Sequence, residues 1–396
     1  MSPEIALSGA LPHQIALTIL PPLSLYIHIP WCVRKCPYCD FNSHEKKGEV
    51  PERRYIDALI SDLDHTLPNI WGRRVTTVFF GGGTPSLFSA AAIDEILAAV
   101  RARVPLASDA EITLEANPGT FEAEKFAGFR AAGVNRLSIG IQSFNATHLQ
   151  ALGRIHDGDE ARRAVAIAQA NFDNINLDLM YALPSQTLDD CGSDIDAALA
   201  FGVNHLSIYH LTLEANTLFH RFPPALPDDE LAADMQAMID ARLDAANYAH
   251  YETSAYAKPG LESKHNVNYW RFGDYIGIGA GAHGKISFPD RITREARYKQ
   301  PRTFMEHAAL GTAAEEVKTI ASRELPFEFM LNALRLSEGF PLSMFVERTG
   351  LPLTAITATL DRAEAKGLIV RDHLQARPTE LGRRFQNDLL EMFLPR

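Results

Sequence analysis

Apolar residues recur along this chain with two periods. From Leu23 to Ile29 they alternate with polar or aromatic residues, the spacing of a strand, and Pro30 stops the run. A stretch opening at Pro51 then places Tyr55, Leu59 and Leu63 on one face of a helix that reaches about Leu67. The exchange repeats. Strands are predicted at 75–80, 111–116, 136–142, 175–181 and 205–211, separated by helices at about 90–101, 121–132, 158–170 and 188–200. Six strands alternating with helices imply a parallel sheet covered by helices. An internal echo supports a repeated unit: Gly133-Val-Asn-Arg-Leu-Ser-Ile139 matches Gly202-Val-Asn-His-Leu-Ser-Ile208 at six of seven positions. In both copies a glycine suited to a left-handed helix cap leads straight into a strand.

Polar and glycine-rich segments follow the strands directly, at the cysteines, Gly81–Pro85, Glu115–Asn117, Gln142 and Pro184–Gln186. Sites in barrel-like α/β proteins gather at the carboxyl ends of strands. The expected fold class is therefore α/β, a partial (β/α)6 TIM-like barrel, open on one side. It is predicted to span residues 21–255, after an N-terminal tail at 1–20. Residues 256–320 read as a connecting region rich in glycine and aromatic residues, and 321–396 as a smaller, mainly helical, winged-helix-like domain.

Charge removes one function that a winged helix invites. Residues 322–396 hold ten Lys plus Arg and ten Asp plus Glu, and the whole chain carries a net charge of −11, so no basic nucleic-acid footprint exists. No apolar run reaches the roughly 18 residues of a membrane span, and the start lacks the basic segment of a secretion signal. A cytoplasmic location with reduced thiols is expected, without disulfides.

Three of the four cysteines, Cys32, Cys36 and Cys39, fall within eight residues. Thiolates so close converge on one soft metal centre. Three of them can hold three corners of a four-iron cluster and leave one iron open. A structural zinc site would need a fourth ligand, which His28, His44 or Asp40 can supply, although no second Cys-x-x-Cys arm is present. Cys191 lies on a predicted helix and reads as a small core residue.

The Cys-x3-Cys-x2-Cys spacing after an alternating strand, with Gly81-Gly-Gly-Thr-Pro85 after the next, resembles the radical S-adenosylmethionine (SAM) superfamily. Tyr26-Ile-His-Ile-Pro30, Arg136-Leu-Ser-Ile-Gly-Ile-Gln-Ser-Phe144, Leu152-Gly-Arg154 and Asp178-Leu-Met-Tyr-Ala-Leu-Pro-Ser-Gln186 resemble the oxygen-independent coproporphyrinogen III oxidase group within it. That resemblance implies a radical SAM barrel, a [4Fe-4S] cluster on the three cysteines and S-adenosylmethionine chelated to the open iron. Gly81, Gly82, Gly83 and Thr84 match its loop against the methionine moiety, Tyr26 and Tyr38 flank the cluster, and Glu115, Gln142, Arg154 and Asp178 match its SAM-holding positions.

One departure redirects the reading. Oxidases of this group carry a fourth cysteine two residues after the third, and this chain has Phe41 there. That change, with His265-Asn-Val-Asn-Tyr-Trp270, resembles the HemW-type branch of haem chaperones. It implies haem as a ligand, with His265 and Tyr269 as candidate iron ligands and an acceptor protein such as a membrane respiratory enzyme. Trp270, Tyr269 and Phe272 offer flat apolar surface, Lys264 and Arg271 suit propionates, and His283 is a further candidate ligand in a glycine run. No residue is assigned a catalytic role. The alternative is the porphyrin-biosynthetic oxidase, which decarboxylates coproporphyrinogen III by radical SAM chemistry.

Overall fold

Alternate residues of the six predicted strands carry opposite chemistry, and the fold follows from where each set goes. The strands are β1 (Leu23–Ile29), β2 (Val75–Gly82), β3 (Leu106–Ala116), β4 (Arg136–Gln142), β5 (Ile175–Tyr181) and β6 (His205–His210). The computed structural model describes residues 15–120 and 123–395. Residues 1–14 of the predicted tail, and the first two positions of the helix predicted at 121–132, lie outside the described residues.

One set is apolar and buried. Leu25 and Ile27 of β1, Val78 and Phe80 of β2, Leu114 of β3, Leu137 and Ile139 of β4 and Leu177 of β5 form a core with the covering helices. Tyr55, Leu59 and Leu63 from helix Glu52–Thr66 join it, as do Ile93, Ile96 and Leu97 from Ala90–Arg103. The other set is polar. Ser24, Thr77, Thr113, Ser138, Asn176, His205 and Ser207 are buried on the inner, opposite face. They bond sideways to one another: Thr77 Oγ1 donates to Ser24 Oγ at 2.8 Å, Asn176 Nδ2 to Ser138 Oγ at 2.7 Å and Ser207 Oγ to Asn176 Oδ1 at 3.1 Å. Buried polar groups persist only when partnered in this way.

Neighbours β1 to β6 pair in parallel, in sequence order. The sheet then continues past both ends. β7 (Ala249–Glu252) and β8 (Ala255–Ala257) extend it beyond β6. On the other side β9 (Asp274–Ile278) runs parallel to β1, followed by antiparallel β10 (His283–Ser287), β11 (Ile292–Arg297) and β12 (Ala314–Thr319). The result is one open sheet of twelve strands, ordered β12-β11-β10-β9-β1-β2-β3-β4-β5-β6-β8-β7. The glycine-rich stretch read from pattern as a connection thus contributes four strands. Its glycines mask the strand period but serve close approach: a Cβ on Gly277 would run into the His283 carbonyl.

A second core lies in the C-terminal part. Phe329 and Met330 of helix Leu325–Ala333, Phe345 of Leu342–Thr349 and Ile356 and Leu360 of Thr354–Ala365 pack together, beside the small sheet of Phe340–Pro341, Gln375–Pro378 and Ile369–Arg371. Ile15 and Leu17 are buried in that core, and the Leu17 N–H donates to the Pro289 carbonyl at 2.8 Å.

Asp274 pins the added strands to the barrel. Its fully buried carboxylate accepts from Lys285 Nζ at 2.8 Å and from Ser287 N and Oγ at 3.0 and 2.7 Å, and it pairs with Arg73 at 2.8 Å. Deleting it strands the buried Lys285 and the largely covered Arg73, so Asp274→Ala is expected to cost roughly 3–5 kcal/mol. Urea denaturation followed by fluorescence measures this, and a loss below about 1 kcal/mol, no more than an exposed pair supplies, would contradict the role.

Candidate cofactor site

The cysteine loop is built by short-range bonds and by glycine. Trp31–Cys32 pairs with His44–Glu45 and closes the loop at its base, while Trp31 packs edge-on against Tyr55 at 4.7 Å. Within it Lys35 Nζ donates to the Phe41 and Ser43 carbonyls, each at 3.2 Å. The neighbouring loop lies directly against it: Gly83 N–H donates to the Ile29 carbonyl and Thr84 N–H to the Trp31 carbonyl, both at 2.8 Å. A Cβ on Gly83 would sit 2.6 Å from that Trp31 oxygen, so only glycine allows the contact.

Cys32, Cys36 and Cys39 line one cavity of about 330 Å³. Among the described residues no three His, Cys, Asp or Glu side chains close around a single-ion site, so the thiols border a space rather than a point. Burial raises the Cys32 and Cys39 thiols above their ordinary range. His28 and His44, which a zinc reading would use, do not line this cavity. His28 Nε2 bonds the Asn42 carbonyl at 2.9 Å and His44 Nε2 the Asn42 side-chain oxygen at 3.2 Å.

The other expected residues meet the thiols from four strand ends. Tyr38, Gly82, Gly83 and Thr84 line the cavity, and so do Glu115, Gln142, Arg154 and Asp178. Gly81 lies behind it: its Cβ would fall 2.9 Å from the Tyr26 ring. Tyr26 borders the adjoining cavity instead, its hydroxyl held at 3.1 Å by His28 Nδ1. Gln142 enters at a register shift between β4 and β5 and has φ +68°, a strained value for a residue with a side chain, of order 1 kcal/mol. Arg154 spans the space: Nη2 donates to Asn117 Oδ1 and the Gly140 carbonyl, both at 2.6 Å, and Nη1 to Cys36 Sγ at 3.6 Å. Asn117 passes the chain on, donating to Thr84 Oγ1 at 2.8 Å.

Two carboxylates dominate the electrostatics. Glu115 accepts from Gly82 N–H at 3.1 Å, and burial, reinforced by Asp178, pushes its carboxyl up to about 8. Burial also raises Asp178, although Ser138 and Asn176 donate to it at 3.0 and 2.8 Å. Two buried acids that resist ionisation suit a cationic ligand, and a sulfonium carrying an ammonium group is one. The donor set therefore fits both a thiolate-bound cluster and SAM. Reading by strand left out Met180 and Tyr209, which also line the cavity. Both occupy inward positions near the ends of β5 and β6, where the period-two alternation points to them.

A second cavity of about 780 Å³ adjoins the first, within the roughly 300–1,000 Å³ usual for ligand pockets. Tyr269, Trp270, Phe272, Tyr275 and His283 line it. The Trp270 indole N–H is buried without a partner among the described residues. His265 does not line it. The ring is buried, with Nδ1 bonded to Thr77 Oγ1 at 2.7 Å and Nε2 to Tyr269 OH at 2.9 Å, and burial lowers its pKa to about 3. The imidazole expected to meet iron is thus enclosed in the inner-face network. Lys264 and Arg271, expected to meet propionates, also lie off the cavity, and Lys264 pairs with Asp109 at 3.4 Å. Lys35 and Lys299 line it in their place.

Comparison with known proteins agrees with this geometry. The radical SAM superfamily model matches residues 26–198, and the HemN C-terminal domain model matches 320–385. The heme chaperone HemW of Escherichia coli K12 is 52% identical over 379 residues, covering 95% of this chain and 99% of that one. HemW of Haemophilus influenzae is 48% identical, covering 95% and 98%. Bovine radical S-adenosyl methionine domain-containing protein 1, mitochondrial, is 36% identical, covering 94% and 87%. Among solved structures, coproporphyrinogen III oxidase (HemN) from Escherichia coli superposes with a TM-score of 0.80 at 23% identity, covering 94% and 90%, a likeness of fold.

The Glu115 carboxyl sets a pH signature. Its ordinary value is 4.5 and its folded value about 8, so between those values the folded chain keeps a proton that the unfolded chain has released. Stability of the ligand-free protein therefore falls as pH rises through that window, and Glu115→Gln removes the fall. The variant is expected to unfold several degrees above wild type at pH 9 and close to it at pH 5, by scanning calorimetry. Parallel profiles would show that the carboxyl is not held up.

Proposed function

The chain belongs to the HemW family within the radical SAM superfamily, and we propose from this that it is a haem chaperone, holding haem and handing it to an acceptor protein. The observation that supports this best is the pair of cavities meeting at the cysteine loop. Cys39, Asp40, Phe41, Gly82 and Glu115 border both. The smaller suits a cluster with SAM, and the larger has the size and aromatic walls for a porphyrin.

Cys32, Cys36 and Cys39 would hold a four-iron cluster, which supplies an open iron to chelate the amino-acid end of SAM. Gly82, Gly83 and Thr84 bring backbone and hydroxyl groups to that end. Glu115 and Asp178 offset its positive charge. Gln142 and Arg154 orient the remainder, and Tyr38 closes the side next to Cys36. In the larger cavity Tyr269 and Trp270 offer ring faces to the macrocycle, and His265 holds the Tyr269 hydroxyl in place. Phe41 stands at the junction with its side chain 64% exposed, an apolar group in place of the fourth cysteine of the oxidases.

No helix among the described residues is long and apolar enough to cross a membrane.

Anaerobic reconstitution is expected to give about four irons per chain with a broad visible absorbance, and Cys36→Ala to abolish both. Full retention of iron in that variant would remove the ligand assignment. The same preparation is expected to take up haem with a Soret band and to leave coproporphyrinogen III unchanged under reducing conditions with SAM. Catalytic formation of protoporphyrinogen would overturn the chaperone reading in favour of the oxidase.

A further inference from the structure

Two histidines line the larger cavity, His28 and His283, and they differ in what their ring nitrogens already do. Both nitrogens of His28 are engaged, by Tyr26 OH at 3.1 Å and by the Asn42 carbonyl at 2.9 Å. The imidazole of His283 is exposed and makes no hydrogen bond among the described residues. The cavity's tyrosine hydroxyls are also in use: Tyr269 bonds His265, Tyr26 bonds His28, and Tyr275 accepts from Arg294 Nη1 at 2.8 Å. Taking the haem reading as given, we propose that His283, rather than His265, ligates the haem iron, and that Lys35 and Lys299 at the same cavity pair with the haem propionates.

Rigidity supports the choice. His283 opens β10 in register with Ala296, so its backbone is held by a strand. The glycines around it are docking points. A Cβ on Gly281 would collide with the Asn42 side chain, and Asn42 Nδ2 donates to the Ala280 and Lys299 carbonyls at 2.9 and 2.8 Å. The histidine therefore rides on a segment fastened to the cysteine loop.

The cations sort in the same way. Lys285 is held by Asp274 and Arg294 by Glu328. Lys35 donates only to carbonyl oxygens, and Lys299 has no ion-pair partner among the described residues. An ammonium free of carboxylates is open to a propionate.

The test titrates the full-length protein with ferric haem and follows the Soret band. Wild type is expected to show a histidine-ligated spectrum. His283→Ala is expected to shift the band and weaken binding by roughly tenfold or more, and added free imidazole to restore the spectrum. A His265→Gln protein that loses the histidine-ligated band position, while His283→Ala keeps it, would overturn the assignment in favour of His265. The Lys35→Ala, Lys299→Ala double variant is expected to lose affinity with the band unmoved, and unchanged affinity would overturn the propionate pairing. His283→Ala with wild-type spectrum and affinity would overturn the ligand assignment alone. A wild-type protein that takes up no haem would overturn the haem reading, and the assignment with it.

Discussion

A polar side chain buried in a sheet must find a partner, and the inner face of this sheet is almost entirely polar. Most of its members satisfy one another across neighbouring strands. Ser24, Thr77 and His265 form one chain of contacts, and Ser138, Asn176, His205 and Ser207 another. Glu115 and Asp178 are held by donors too, yet burial raises both carboxyls, Glu115 up to about 8. Neither carboxylate forms an ion pair among the described residues, and Arg136 only partly offsets the burial of Asp178. The same requirement engages both ring nitrogens of His265, which complete the network between Thr77 and Tyr269.

Glycine supplies the second condition, contact between backbones. The cysteine loop touches the next strand's loop at Gly83 and the added strands at Gly281, and β1 meets the added strands at Gly279; at each, a Cβ would overlap its neighbour. Through these contacts the thiols, the carboxylates and the larger cavity share one wall. Binding in one cavity is thereby mechanically adjacent to binding in the other, with Phe41 and Glu115 between them.

Much of this was legible in the chain as written. All six barrel strands appear where alternation places them, because period two is set locally and a one-residue slip would bury every polar side chain in the core. The cluster of cysteines, Thr84, Glu115, Gln142, Arg154 and Asp178 is gathered in one cavity, because all but Arg154 stand on or just after a strand and parallel strands bring those ends together, while Arg154 reaches in from beyond the helix Ala146–Ala151. The strands of residues 274–319 were not legible. Their glycines weaken the strand signal, and β9, which joins them to the barrel, pairs with β1 near the other end of the chain.

Sequence alone therefore determined the order of the six barrel strands, the clustering of three cysteines after the first of them, and the family. It did so because periodicity, spacing and motif order are properties of nearby residues. Tertiary structure decided which side chains have atoms to spare. The motif His265-Asn-Val-Asn-Tyr-Trp270 put His265 first among the candidate iron ligands, with His283 a further one in a glycine run. Only packing, which closes both nitrogens of one and leaves the other bare on a cavity wall, tells them apart.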